Sequence, residues 1–149
     1  PRWEQDFEGL DAYPNVTMVR RFLKRTEIAR MHALHGVFLV PSRGDTQGVS
    51  RGEAMASGLV PLTTAVGAIP EFVDAQSGIL CAPEDVAQMV GALEEIAADP
   101  AIFSRLSVGA AERARAQLDA GRLCLDELKV LGVDVGAEVT DSRELANDF

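Results

Sequence analysis

Val37-Phe38-Leu39-Val40-Pro41-Ser42-Arg43-Gly44-Asp45-Thr46-Gln47-Gly48 opens the stretch that decides the fold, and the chain runs on to Glu71 as VSRGEAMASGLVPLTTAVGAIPE. Val37 to Val40 is wholly apolar and rich in β-formers, which predicts a strand buried on both faces, as in a parallel sheet. Pro41 to Gly48 is a polar turn containing Gly44 and Gly48. Val49 to Ser57 reads as helix, with Gly58 placed to stop it at the C′ position. Leu59 to Thr64 is the next strand. Val66 to Glu71 is a turn that opens a short helical segment, Glu71 to Asp74. Strand, helix and strand in that order make a crossover unit.

The same alternation extends in both directions. Upstream, Asn15 to Val19 reads as a strand, Arg20 to Arg25 as a basic connection, and Glu27 to His35 as a short amphipathic helix with Thr26 as N-cap. Downstream, Gly78 to Cys81 reads as a short strand. Val86, Met89, Val90, Leu93, Ile96 and Ala97 then recur at helical spacing, with Glu84 and Asp85 in the first turn, where the helix dipole favours them. Asp99 as N-cap and Pro100 at N1 start another helix, which runs to about Gln117. Cys124 to Leu131 reads as a further helix, and Val133 to Phe149 as an acidic appendage or frayed tail. The whole predicts an α/β, Rossmann-like parallel sheet with flanking helices, and no internal repeat interrupts it.

The 149 residues (16.0 kDa) are enough for one domain. Fourteen Lys and Arg against 23 Asp and Glu leave a net charge of −9, which argues against gripping nucleic acid as the main task while leaving a local anion site open. Cys81 and Cys124 make no disulfide framework, so free thiols in a reducing, cytoplasmic compartment are expected. No apolar run approaches the length of a membrane span. The chain opens at Pro1 rather than Met, which reads as a fragment of something longer.

In open parallel sheets, ligands bind at the carboxyl ends of strands, where loops enter helix N-termini. Two loops qualify: Pro41 to Gly48 and Val66 to Glu71. Gly44 and Gly48 let the backbone approach a ligand, and the helix start behind them offers unpaired N–H groups to a phosphate. Glu53, inside that helix, has the two acceptor oxygens a ribose diol needs. Asp45 is free to meet a polar ligand. The plainer reading makes Asp45 or Thr46 an N-cap, Glu53 a surface residue and the Gly67 loop a simple turn into Pro70; the residues alone leave both open. His32 and His35 have no third ligand in register, which argues against a metal site. Cys81 and Cys124 both read as packing. Arg20, Arg21, Lys24 and Arg25 form a solvated run that could face a diphosphate. No Ser-His-Asp signature, G-x-x-x-x-G-K-[ST] or G-x-G-x-x-G occurs.

Val37 to Glu71 resembles the C-terminal domain of GT-B glycosyltransferases of the retaining group 1 type. The family pattern is an apolar strand ending in Pro-Ser, then Glu-Gly-Phe-Gly, four residues, Glu-Ala-Met-Ala-x-Gly, a strand, and Gly-Gly-x-Pro-Glu. The likeness is looser from Asn15 to about Ala116, including Ala82-Pro83-Glu84-Asp85. It implies that residues 1–117 are part of a donor-binding domain, with 118–149 a C-terminal helix and acidic tail. It implies that Glu53 binds the ribose hydroxyls of a nucleotide-sugar. It places Asp45 as the catalytic position near the transferred sugar, the N–H groups of Thr46, Gln47 and Gly48 near sugar and phosphate, Ser42 and Arg43 beside the nucleotide, and the base around Arg21 to Leu23. Asp45 stands where the family has glutamate, Gln47 replaces its aromatic residue, Ala68 its second glycine, and Arg20 or Arg21 the glycine after the first strand.

The function expected is that of a donor-domain fragment of a glycosyltransferase, inactive alone. Sugar would pass from a nucleotide-diphosphate sugar to an unidentified acceptor, with no cofactor and no metal. The missing partner is an N-terminal acceptor domain, and the resemblance leaves room for peripheral membrane contact of the parent. Two other readings stand beside it: a non-catalytic α/β binding or assembly domain, and a GT-B-fold sugar-nucleotide epimerase. The family's two preceding strands and its diphosphate-gripping Arg and Lys are not visible before Asn15. An open edge at Val37 to Val40 is therefore expected to drive dimerisation, swapping or rearrangement.

Overall fold

Three parallel strands stand in the order β1 (Val37–Val40), β2 (Val60–Thr64), β3 (Ile79–Cys81), with Val37 opposite Val60 and Leu62 opposite Ile79. The computed structural model describes residues 7–133. The helices are α1 (Arg25–Leu34), α2 (Val49–Ala56), α3 (Ile69–Phe72), α4 (Val86–Ala98), α5 (Pro100–Leu118) and α6 (Ala120–Val130). The α/β class and parallel sheet expected from the alternation are present. The acidic stretch expected after Val133 lies outside the described residues.

β2 is buried along its whole length and organises the core. On one face Leu62 and Cys81 pack against Met89 and Ala92 of α4. On the other, Met55 of α2, Ile69 and Val73 meet Ala110 and Ala114 of α5. α5 links the two faces: its start packs Leu106 under Val60 and Ile96, and Ser107 Oγ donates to the Gly58 carbonyl at 2.6 Å. α2 ends as expected at Gly58, whose N–H donates to the Met55 carbonyl at 2.9 Å. Asp99 caps α5 by accepting from the Ala101 N–H at 2.8 Å. Arg113 then holds α3 from α5, donating to the Phe72 and Glu71 carbonyls and pairing with Asp74.

Several expectations are corrected. Asn15 to Val19 joins no sheet: Asn15 lies in a turn and residues 16–20 take no regular structure, because a strand exists only with a partner to complete its hydrogen bonds. β1 is consequently the edge of the sheet and is not buried on both faces: Leu39 is 49% exposed. α1 does not seal it, since none of its residues is buried and a cleft of about 200 Å³ separates it from Val37 and Phe38. Thr26 lies inside α1 instead of capping it, because Glu27 accepts from the Lys24 N–H at 2.9 Å and fixes the start two residues earlier. Glu84 and Asp85 precede α4: Asp85 is its N-cap, accepting from the Gln88 N–H at 2.9 Å, and Glu84 sits at φ 63°. α3 spans Ile69–Phe72 and ends before Asp74. α6 starts at Ala120, earlier than Cys124, because Asp119 accepts from the Arg122 N–H at 2.8 Å. Cys124 is exposed on α6, whereas Cys81 is buried and its thiol pushed up, by burial first and then by Asp85.

Candidate functional site

The carboxyl ends of the three strands bring loops 41–48, 65–68 and 82–85 to one edge. β2 ties the first loop down with two threonines: Thr63 Oγ1 donates to the Val40 carbonyl at 2.9 Å and Thr64 Oγ1 donates to the Ser42 carbonyl. The second loop locks onto the first at Asp45, whose carbonyl accepts from the Ala68 N–H at 3.3 Å. Gly67 adopts φ +55°, and a Cβ there would lie under 3.0 Å from that same carbonyl oxygen. Only glycine allows both this dihedral and this approach. The two loops singled out from the sequence are thus one interlocked structure.

Around Asp45 the structure adds a residue that the sequence reading passed over. Arg51 stands in the first turn of α2, only 2% exposed. Its Nη1 donates to Asp45 Oδ2 at 2.8 Å and its Nη2 to the Gln47 carbonyl at 3.0 Å. Its guanidinium carbon lies 5.5 Å from the centroid of the Phe72 ring, within cation–π range. Its Nε is buried without a partner. Gly48, at φ +63°, makes room for it: a Cβ there would sit 2.5 Å from Nη1. The available sequence signal was spacing, since Arg51 is four residues before the buried Met55 and so shares its inward face.

Gly48 is also the N-cap of α2, with no side chain to cap the first-turn N–H groups. Those groups carry the positive end of the helix dipole and suit an anion. Glu53, two residues past Arg51, is about 200° further round the helix, and it is exposed. It lines two clefts: one of about 530 Å³ between α2, α5 and α6, and one of about 420 Å³ between α1 and α2, with Arg25, Thr26 and His32. Thr46 and Gln47 expose their side chains at the loop crown.

Ser42 and Arg43 are held differently from one another. The Ser42 N–H donates to the Val40 carbonyl at 3.0 Å, which leaves its backbone committed to the strand end. Arg43 pairs with Glu84 across the edge at 2.6 Å, which raises its already high pKa. Arg21 forks onto Glu27 at 2.6 and 3.1 Å. That fork, followed by the Lys24 N–H, holds the Glu27 carboxyl down at about 2. Phe22 beside it is fully exposed. Among the described residues no three His, Cys, Asp or Glu side chains cluster to hold a metal. His32 Nδ1 instead lies 3.0 Å from Ser57 Oγ, and among the described residues no helix is long and apolar enough to cross a membrane.

A class of protein is defined by this edge: an α/β domain with interlocked loops at the strand ends and a carboxylate-bearing helix behind them. Residues 2–99 match the family described as "Glycosyl transferases group 1", and the chain belongs to that family. It is similar to a D-inositol 3-phosphate glycosyltransferase of Nocardioides sp., 33% identical over 72% of this chain and 24% of the relative. It is similar also to a glycogen synthase of Mycobacterium tuberculosis, 31% identical over 65% of this chain and 24% of the relative. The chain therefore spans about a quarter of the length of these curated relatives. Among solved structures it resembles sucrose-phosphate synthase from Thermosynechococcus elongatus, with a TM-score of 0.69 and 26% identity over 87% of this chain and 34% of that one. The C-terminal domain of a group 1 glycosyl transferase from Francisella tularensis shares the fold, with a TM-score of 0.66 and 20% identity over 78% of this chain and 60% of that domain.

Proposed function

We propose that this chain is the nucleotide-sugar-binding part of a glycosyltransferase that moves a sugar from a nucleoside diphosphate to an acceptor held by another domain of the same protein. The observation that carries the reading is the junction of the two loops at Asp45, directly before the uncapped first turn of α2. A diphosphate at that helix start would accept N–H groups fixed in advance. It would be stabilised most as negative charge builds on the leaving group. Glu53 would hold the ribose diol from the cleft it shares with α1. Asp45 would meet the transferred sugar, Thr46, Gln47 and Gly48 its phosphate side, and Ser42 and Arg43 the nucleotide. Transfer is assigned a retaining outcome, with the nucleotide-sugar as donor substrate and no resident cofactor.

The test is calorimetry on the complete polypeptide carrying these residues, titrated with UDP-, GDP- and ADP-sugars. One of them should bind, and Glu53→Gln should weaken it about tenfold or more, the worth of a hydrogen bond to a charged group. Binding by none of the three, or full affinity in Glu53→Gln, overturns the reading.

A further inference from the structure

We infer that Arg51 is a positioning residue of the donor site: it grips Asp45 by one carboxylate oxygen, Oδ2, and leaves Oδ1 to take a hydroxyl of the transferred sugar. The inference rests on the proposed donor-binding function and deepens it.

Stability alone does not account for Arg51. A guanidinium that is 2% exposed has lost most of its hydration, and ion pairs at such sites commonly do no better than apolar residues of similar volume. The first turn of a helix is also the end where a cation is least favoured. A leucine would pack between Met55 and Phe72 without either cost. The hydrogen bonding points the same way. Nε is left buried and unpartnered, while both outer nitrogens are spent on the 45–48 loop. The fork is posed for the loop, not for its own satisfaction.

Asp45 is correspondingly fixed at both ends. Its carbonyl is pinned by the Ala68 N–H and by the absence of a Cβ on Gly67, and its side chain by Arg51. Among the described residues, Arg51 is the only donor to its carboxylate, which keeps partial exposure at 21%. A side chain held through one oxygen, with no donor to the other among the described residues, is a preorganised acceptor. A short carboxylate with few torsions profits from such a grip, since its position is then set by the guanidinium.

The experiment compares free nucleoside diphosphate with its sugar conjugate, in the complete polypeptide, for the pairs UDP and UDP-glucose, GDP and GDP-mannose, and ADP and ADP-glucose. The quantity read is the ratio of the two dissociation constants, which cancels effects on the phosphates. For the pair that binds, Arg51→Leu and Asp45→Asn should each shift the ratio against the sugar conjugate about tenfold. The double variant should shift it no further, because the two residues act as one unit. Arg51→Lys, which can still reach the carboxylate, should stay within about threefold of wild type. An unchanged ratio in Asp45→Asn or in Arg51→Leu, or additive losses in the double variant, overturns the inference. Should Arg51→Leu melt early, Asp45→Asn and Arg51→Lys decide it. Failure of the wild-type protein to bind any free diphosphate is a separate result; it overturns the donor-binding function and this inference with it.

Discussion

Replacing Gly67 with alanine tests the interlocked loops most directly. The residue sits at φ +55°, and a new Cβ would lie under 3.0 Å from the Asp45 carbonyl oxygen, a backbone atom that cannot swing aside. The left-handed dihedral costs a non-glycine residue about 1–2 kcal/mol. Moving the Asp45 carbonyl also breaks its bond from the Ala68 N–H, worth about 1 kcal/mol. The sum is about 2–3 kcal/mol. For a domain of this size that is a fall of about 6–12 °C in melting temperature, readable by circular dichroism. The matched control is Gly91→Ala. Gly91 lies inside α4 with nothing within 4 Å of its would-be Cβ. Alanine there should stabilise by about 0.5–1 kcal/mol on helix propensity alone. A Gly67→Ala variant within about 0.5 kcal/mol of wild type would refute the packing of the two loops, because a clash with backbone leaves no inexpensive relief.

The Asp45–Arg51 pair should respond asymmetrically. Asp45→Ala strands a buried guanidinium and should cost about 3 kcal/mol, whereas Arg51→Leu should stay within about 1 kcal/mol of wild type; equal losses in chemical denaturation would contradict this. Glu27 has a folded pKa of about 2 against an ordinary 4.5. Its contribution is therefore present above pH 4.5 and lost as pH falls from 4.5 to about 2. Glu27→Gln should flatten the melting curve over that window, and superimposable wild-type and variant profiles would exclude the effect. The free edge of β1, with Leu39 half exposed, should pair two copies of the isolated 149-residue chain. Leu39→Lys should shift sedimentation toward monomer, and a wild-type monomer at high concentration would count against it.

Local pattern carried β1, α2 and β2, because apolar runs and a stop glycine act over a few residues. Asp99 and Pro100 announced α5 for the same reason. Where the reading of the sheet failed, the deciding partner was distant in sequence. Asn15 to Val19 has the residues of a strand, but no neighbour presents a ladder to it. The burial of Val37 to Val40 depended on neighbours beyond β2 and on α1 closing over the sheet, and neither follows from four apolar residues. The start of α1 was set, by contrast, by a local contact, the carboxylate of Glu27 three residues after Lys24, and not by the nearest hydroxyl.

In the site, glycine-bearing loops after strands were legible, since backbone approach is written in glycine. The charges were not. Arg43 finds Glu84 across 41 positions of chain, and Arg51 reaches Asp45 only because the loop folds back on its own helix. These two pairs would let a chain of net charge −9 receive an anion at this edge. Loop 41–48 carries one cation and one acid, Arg43 and Asp45, and each is matched by a partner of opposite sign from outside the loop. The side-chain charges cancel locally. What is left uncancelled at the edge is the backbone dipole, with Gly48 leaving the first N–H groups of α2 without a side-chain cap. Asp45 alone at that point would oppose a phosphate by Coulomb repulsion at short range. Paired with Arg51, it can stand beside the helix start as a hydrogen-bond acceptor without setting the sign of the field there. A buried arginine with an unpartnered nitrogen is costly as packing; as the counter-charge to a carboxylate beside a phosphate-receiving helix end, its place in the first turn of α2 follows.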